Sequence, residues 1–272
     1  MNSKALFMDL DGTLLTDDKQ ITPGNRLAIN KALEQGHRII IATGRPLASS
    51  IIQAEKLGLT GKGCYLIAFN GGILFDMEHQ QVIFRSVLPL ETVFTIFDEA
   101  NRRGMHVQTY GENNILVEPR CDNDIIRLYS GRLLMDYAVI PDIRTLKRPP
   151  EKVLLIDLHN QEPLLNFREW VYSWGEDQLD MYLSCNEYME VVEKGLNKGT
   201  ALVQMEKLLH IPHENTIAAG DAANDLNMLL CAHTGVAMCN GDPMVKEQVS
   251  YVTERDNNHD GIAEIIERFI LS

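Results

Sequence analysis

The chain has few features that would place it in a membrane, in an oxidising compartment or on nucleic acid. Its sequence of 272 residues contains no apolar run near the roughly 18 residues that a membrane helix needs. The five cysteines are scattered and form no Cys-x-x-Cys pair, which argues against a disulfide framework or a zinc site. The net charge of −13 argues against a broad surface that binds nucleic acid or anionic lipid.

The first residues also lack the pattern of a secretory leader. They run directly into a short apolar segment, with no long hydrophobic stretch followed by a small-residue cleavage site. Together with the scattered cysteines, this pattern predicts a cytoplasmic protein with reduced thiols. A chain of 272 residues, 45% of them hydrophobic, can bury the core of one large domain or of two ordinary ones.

Two carboxylates stand where the first apolar run ends. Residues 7–13 read Phe-Met-Asp-Leu-Asp-Gly-Thr, so Asp9 and Asp11 follow the apolar segment Ala5–Met8. Carboxylates at the exit of a buried strand lie where an open α/β sheet presents its ligand site. Two carboxylates this close favour a hard cation such as Mg²⁺ between them. A simple hairpin turn is the alternative interpretation, because Asp-Gly is also a common turn dipeptide.

The chain alternates strand and helix signals near both ends and changes pattern in between. Thr22-Pro23 and Gly36 are typical of the start and end of a helix, and Arg38–Ala42 is typical of a buried strand. Near residue 84 this alternation gives way to a helix, short strands and a Pro-rich segment, and it later resumes. The sequence therefore predicts an α/β core domain, residues 1–83 and 189–272, that is interrupted by an inserted domain, residues 84–188.

Four patches together supply the groups that phosphoryl transfer needs. They contain paired carboxylates, a hydroxyl, an ammonium group and a second acidic group, which can neutralise and position a phosphate. Each patch lies at or near a presumed strand end or helix start, and alone each could be a helix cap or a turn. The patches are Asp9-Leu-Asp11-Gly-Thr13, Thr43-Gly44-Arg45, Lys198-Gly199 and Gly220-Asp221-Ala-Ala-Asn224-Asp225.

On these motifs the chain resembles the haloacid dehalogenase-like hydrolases, and among them the Cof-type phosphatases of class IIB. The resemblance implies a Rossmann-like parallel-sheet core with an inserted α/β cap at residues 84–188. It also implies hydrolysis of small phosphorylated metabolites, sugar phosphates above all, through an aspartyl-phosphate intermediate. Further matching segments are Ala42-Thr43-Gly44-Arg45-Pro46, Asn70-Gly71, Asn197-Lys198-Gly199, Gly235-Val236-Ala237-Met238-x-Asn240, and Tyr251-Val252-Thr253 with Asp260-Gly261.

The same resemblance implies roles for the acidic residues of these motifs. Asp9 would be the nucleophile, and Asp11 the general acid and base. The cofactor Mg²⁺ would be bound by Asp9, by Asp221 and by Asp11 through its backbone carbonyl. Independent physics agrees, because a carboxylate that attacks a phosphate dianion meets like-charge repulsion that a metal and a lysine must offset.

Other matching positions would handle the phosphate or support the site. Arg45 and Asn70 would line the entrance, and Asp225 would complete or orient the metal shell. Ala222-Ala223 and Cys239 depart from the residues usual in the family, which affects fine positioning and not the reaction. The residues expected to bind phosphate are Thr43, Gly44, Lys198 and Asn224.

Two other functions stay open at this point. Phosphomutases of the phosphomannomutase type share the Asp-x-Asp-Gly-Thr motif, and a regulatory ligand-binding protein could use the same scaffold without catalysis. Release of free phosphate from a simple monoester would discriminate them from a phosphatase. The sequence leaves open the physiological substrate, the cap residues that select it and the oligomeric state.

Overall fold

The computed structural model describes residues 3–272, which form two compact units. The first unit comprises residues 3–44, 50–84 and 197–272, and the second comprises residues 45–49 and 85–196. The range predicted for the inserted domain, residues 84–188, begins at this division. It stops at the start of the strand Tyr188–Glu193, which pairs within the second unit.

Strands and helices alternate along much of the chain. The strands are β1 (Ala5–Met8), β2 (Arg38–Ala42), β3 (Cys64–Ala68), β4 (Ile73–Asp76), β5 (Gln81–Arg85), β6 (His106–Tyr110), β7 (Ile115–Val117), β8 (Tyr137–Val139), β9 (Val153–Ile156), β10 (Leu179–Cys185), β11 (Tyr188–Glu193), β12 (Thr216–Gly220), β13 (Thr234–Ala237) and β14 (Tyr251–Val252). The helices are α1 (Pro23–Glu34), α2 (Leu47–Leu57), α3 (Leu90–Arg103), α4 (Asp124–Leu133), α5 (Glu162–Gly175), α6 (Lys198–Leu208), α7 (Leu226–Cys231), α8 (Pro243–Lys246) and α9 (Gly261–Phe269).

A parallel sheet forms the centre of the first unit. Its strand order is β14-β13-β12-β1-β2-β3-β4-β5, and the strands from β14 to β3 pair in parallel. Residues of β1 and β12 pack with α6 and α7 in one apolar cluster, while α1 contacts both α9 and β2. Because the central strands are covered by helices, β1 is apolar throughout instead of alternating.

The first helix begins and ends where the sequence predicts. The Thr22 side chain accepts a hydrogen bond from the Asn25 backbone N–H, and Pro23 occupies the first turn. Gly36 follows the helix with a φ of 82°, a left-handed conformation that glycine adopts without strain. Such local signals place β2 directly after α1, beside β1 in the sheet.

The second unit has a sheet of its own. Its strand order is β10-β11-β9-β6-β7-β8, antiparallel apart from the β7–β8 pair. Lys152, just before β9, and Glu190 on β11 form a buried ion pair at 3.0 Å. The two sheets and their helices confirm the predicted α/β class with a parallel-sheet core. Across residues 3–272, no helix has the length and apolar character needed to cross a membrane.

Candidate active site

The predicted site residues of the first unit gather at the carboxyl ends of adjacent parallel strands. Asp9 directly follows β1, Thr43 follows β2 and Asp221 follows β12. Because β1 lies between β2 and β12, their exits meet at one edge of the sheet. The Asp9 backbone N–H donates to the Ala219 carbonyl at 3.1 Å, which extends the strand pairing up to the carboxylate itself.

A buried lysine joins two of the carboxylates. Lys198 opens α6 and is 0% exposed, and its Nζ donates to Asp9 Oδ1 at 2.5 Å and to Asp225 Oδ1 at 2.6 Å. Asn197 caps this helix because its side chain accepts hydrogen bonds from the backbone N–H groups of Gly199 and Thr200, which fixes the start of the helix at Lys198. An ammonium group without water needs such partners, because an unpaired buried charge is strongly destabilising.

Asp225 anchors the turn that follows β12. Its Oδ2 accepts hydrogen bonds from the backbone N–H groups of Asp221 and Ala222, both at 3.1 Å. Its Oδ1 accepts from Lys198, so both carboxylate oxygens are engaged by the protein. Asp225 therefore holds Lys198 and Asp221 in a fixed relation to each other.

Asp221 is held from the opposite side by the turn after β1. The Thr13 hydroxyl donates to Asp221 Oδ1 at 2.7 Å. Gly12 has a φ of 86°, and a Cβ at this position would lie 2.6 Å from Asp221 Oδ2. Only glycine combines this backbone conformation with so close an approach of the carboxylate.

The three acids form a compact cluster. Ligand oxygens of Asp9, Asp221 and Asp225 lie within 4.8 Å of one another. Burial raises the pKa of Asp9 to about 7, with Lys198 opposing the shift and Asp225 adding to it. Burial likewise raises the pKa of Asp221 to about 6. Burial alone would lower the pKa of Lys198, but the charges of Asp9 and Asp225 raise it above its ordinary value.

These residues fit a hard divalent cation. Carboxylate oxygens are the ligands that Mg²⁺ prefers, and the hydrogen bonds described above engage Oδ1 of Asp9 and Oδ1 of Asp221. The cluster includes Asp225 and not the carboxylate of Asp11, whose Oδ1 instead accepts a hydrogen bond from Lys19 at 2.8 Å. Burial, with a smaller contribution from the charge of Asp225, raises the pKa values of Asp9 and Asp221, and a bound cation would favour the ionised form of both.

A second group of predicted residues surrounds the exit of β2. Thr43 is buried, its backbone N–H donates to the Ile67 carbonyl at 2.8 Å, and its carbonyl accepts from the Asn70 N–H at 3.0 Å. Asn70 itself has a φ of 55°. A Cβ at Gly44 would lie 3.1 Å from the Asn70 amide, so these residues pack closely.

The structure does not gather every predicted residue into the cluster. Asn224 is exposed on the turn beside Asp225. Arg45 is half-buried and groups with the second unit. Asp11 is partly exposed and pairs with Lys19 on the following turn.

Three contacts near Asp11 were not predicted. Lys19 binds the Asp11 carboxylate, Asn240 donates to the Gly12 carbonyl at 2.8 Å, and Asn257 donates to the Leu15 carbonyl at 3.0 Å. Asn240 stands in a motif already noted for its resemblance, and Asn257 lies close to another. The motifs marked these segments, but nothing in the sequence connected them with the turn that carries Asp11.

Comparison with known proteins identifies the family. The chain matches the haloacid dehalogenase-like hydrolases over residues 6–266. It is 28% identical to the 5-amino-6-(5-phospho-D-ribitylamino)uracil phosphatase YitU of Bacillus subtilis, over 97% of this chain and 96% of that one.

Solved structures give the same answer. TM0651 from Thermotoga maritima superposes with a TM-score of 0.86 and is 31% identical, over 98% of this chain and 97% of that one. The subclass IIB sugar phosphatase BT4131 superposes with a TM-score of 0.79 at 25% identity, over 98% and 99% of the two chains. The chain therefore belongs to the haloacid dehalogenase-like hydrolases, Cof type, and is a phosphoric monoester hydrolase.

Proposed function

We propose that this protein is a Mg²⁺-dependent phosphatase that hydrolyses sugar phosphates or related small metabolites through an aspartyl-phosphate. The observation that carries the proposal is the buried Lys198 ammonium between Asp9 and Asp225, with Asp221 alongside. The substrates of two similar proteins support the sugar-like class: YitU acts on a phosphoribityl compound, and BT4131 is a sugar phosphatase.

In the first half-reaction, a carboxylate oxygen of Asp9 attacks the phosphorus atom. The new Asp9 O–P bond forms as the bond from phosphorus to the ester oxygen breaks. Asp11, protonated at this stage, gives its proton to the departing oxygen, so the product leaves as a neutral alcohol.

In the second half-reaction, water replaces Asp9 at phosphorus. Asp11, now ionised, takes a proton from the attacking water, and the Asp9 O–P bond breaks to release inorganic phosphate. Asp9 is again a carboxylate and Asp11 is again protonated, so the cycle closes without any other reagent.

The remaining residues would neutralise and orient the transferring group. Lys198 and the Thr43 hydroxyl would hold phosphoryl oxygens, with the Gly44 backbone and Asn224 nearby. Bound by Asp9, Asp221 and the Asp11 carbonyl, Mg²⁺ would supply positive charge that keeps Asp9 ionised and offsets the charge of the phosphate. Asp225 would keep Lys198 and Asp221 in place.

Residues 84–188 would act as a cap that contacts the non-phosphate part of the substrate, with Arg45 and Asn70 at the entrance. This proposal rests on the domain pattern of the family and on the location of the phosphate-handling residues outside the segment. Chemistry and selectivity would then reside in different parts of the chain.

The test is phosphate release from a panel of sugar phosphates with Mg²⁺, by wild type and Asp9→Asn. The amide is nearly isosteric but a poor nucleophile, so we expect turnover to fall on the order of 10³-fold or more. Asp18→Asn, a change to an exposed carboxylate in the loop that follows β1, is the control and should retain activity.

Mass spectrometry of Asp9→Asn would exclude deamidation back to aspartate. Activity of the verified variant within tenfold of wild type would contradict the role of Asp9. Phosphate that moves between positions of a sugar without release would favour a mutase, and ligand binding by a wild type without turnover would favour a regulatory protein.

A further inference from the structure

We propose that Asn257 is a positioning residue that holds Asp11 where it can protonate the leaving group. The inference rests on the proposed function, because it assumes that Asp11 is the general acid. It concerns a segment of the chain almost 250 residues from Asp11 that the mechanism above does not use.

Asp11 lies in a loop of turns, residues 10–20, which folds back on itself and is here called the Asp11 hairpin. The Leu15 N–H donates to the Leu10 carbonyl at 2.8 Å, and the Thr16 N–H donates to the Gln20 carbonyl at 2.8 Å. These bonds close the hairpin on itself. The Asp11 side chain is substantially exposed, so the position of its carboxylate depends on what holds the hairpin.

Asn257, which lies in the C-terminal segment, is hydrogen-bonded to the hairpin. It is 3% exposed, and its Nδ2 donates to the Leu15 carbonyl at 3.0 Å and to Asp17 Oδ1 at 3.1 Å. Its backbone N–H donates to Asn240 Oδ1 at 3.2 Å. Asn240 in turn donates to the Gly12 carbonyl at 2.8 Å, so the pair holds the hairpin at Gly12, Leu15 and Asp17, which all follow Asp11 in sequence.

The side chain at position 257 must be a donor for this arrangement to hold. Both atoms that face its Nδ2 are acceptors, a carbonyl oxygen and a carboxylate oxygen. An aspartate at this position would present an acceptor to two acceptors, and an alanine would leave the Leu15 carbonyl without this buried partner. Either change frees the hairpin to shift, and a shift of about 1 Å at a catalytic group can cost 10²-fold in rate.

The test compares two substrates that differ in their need for a general acid. Glucose 6-phosphate releases an alkoxide that must be protonated, whereas p-nitrophenyl phosphate releases a phenolate that leaves without a proton. For Asn257→Ala we expect kcat/KM to fall about 10- to 100-fold for glucose 6-phosphate and less than about threefold for p-nitrophenyl phosphate. The ratio of kcat/KM follows formation of the aspartyl-phosphate and is therefore sensitive to leaving-group protonation.

The isosteric Asn257→Asp variant is the second probe, in case the alanine variant does not fold. We expect the same substrate-dependent loss, and a larger one. Asn215→Ala is the matched control, because it removes a buried asparagine at the amino end of β12, away from the carboxyl end where the site lies. It should lower both activities by the same small factor.

Equal losses on both substrates in a folded Asn257 variant would overturn the proposal, since a general loss of structure does not distinguish leaving groups. Wild-type activity in Asn257→Asp would overturn it as well. Failure of the proposed function looks different, because then the wild type itself releases phosphate from neither substrate.

Discussion

At the scale of single residues, the site pairs one buried cation with more negative charge than it can neutralise. Lys198 is hydrogen-bonded to Asp9 and Asp225, and Asp221 lies in the same cluster. Burial raises the pKa values of both Asp9 and Asp221, and the charge of Asp225 adds to the rise. A site with this excess of negative charge favours a divalent cation. Its acids differ in how many of their carboxylate oxygens are already hydrogen-bonded by the protein.

Asp221 and Asp225 should therefore respond differently to loss of charge. In Asp221→Asn we expect at least a tenfold rise in the Mg²⁺ concentration for half-maximal activity, with much of the rate restored at saturation. In Asp225→Asn an amide would face either Lys198 or the backbone N–H groups, so activity should fall without recovery at high Mg²⁺.

A titration of phosphatase activity with Mg²⁺ checks both variants against wild type. Thermal unfolding in chelator serves as the control, because only Asp225→Asn should lower stability strongly. Identical Mg²⁺ shifts in the two variants would show that Asp225, and not only Asp221, is a direct ligand.

The sequence predicted the members of this cluster but not the contacts that support it. Asp9 and Asp221 could be predicted from the sequence because each follows an apolar run that is recognisable as a strand, and the strand ends of a parallel sheet meet. The contact of Asn257 could not be predicted, because its hydrogen bond to Leu15 joins residues 242 positions apart. Side-chain contacts over such distances follow no local periodicity.

At the scale of elements, the buried strands could be predicted from the sequence and the edge strands could not. The continuous apolar runs of β1 and β2 were predicted because both are buried in the sheet. The strands β5 and β14 were not: β5 is an edge strand with a largely exposed or half-buried pattern, and β14 has only two residues. The predicted end of the inserted domain, residue 188, coincides with the start of β11, and the second compact unit extends to Leu196.

Strand β6 of the second unit carries a histidine that should make stability depend on pH. His106 is 5% exposed, its Nε2 lies 3.1 Å from Gln108 Oε1, and burial lowers its pKa from 6.5 to about 4. Between these values the unfolded chain binds a proton that the folded one does not, so stability rises with pH across this window and is lost as pH falls. The maximal effect is about 3 kcal/mol in the free energy of unfolding.

Urea unfolding of wild type and His106→Gln between pH 7.5 and 4 checks this prediction. The free energy of unfolding of wild type should fall relative to the variant as pH decreases, with the fall becoming less steep as pH approaches the folded pKa of about 4. Subtracting the free energies of unfolding of the two proteins removes the contribution of the acids that titrate in both. A difference independent of pH would mean that His106 titrates alike in the folded and unfolded chains.

At the scale of the whole molecule, the negative net charge of the protein repels the proposed substrates. The protein has a net charge of −13 and the proposed substrates are phosphate dianions, so their long-range interaction is repulsive. The attraction that binds them must come from Lys198 and a bound metal, over a few ångströms. Lys198 is itself 0% exposed and already paired with two carboxylates, so it contributes little field to the solvent.

Salt should therefore assist the encounter and not hinder it. The Debye length shortens from roughly 20–30 Å near 0.01–0.02 M to about 8–10 Å near 0.1–0.15 M, which screens the distant negative charges and leaves the short-range contacts intact. We expect kcat/KM for a sugar phosphate to rise on the order of two- to fivefold over this range at saturating Mg²⁺, with kcat nearly constant. Sucrose at equal osmolality is the control and should have no such effect. A kcat/KM that falls with salt would show instead that the positive charge of the metal and Lys198 dominates the approach, and that the acidic surface lies too far from the entrance to matter.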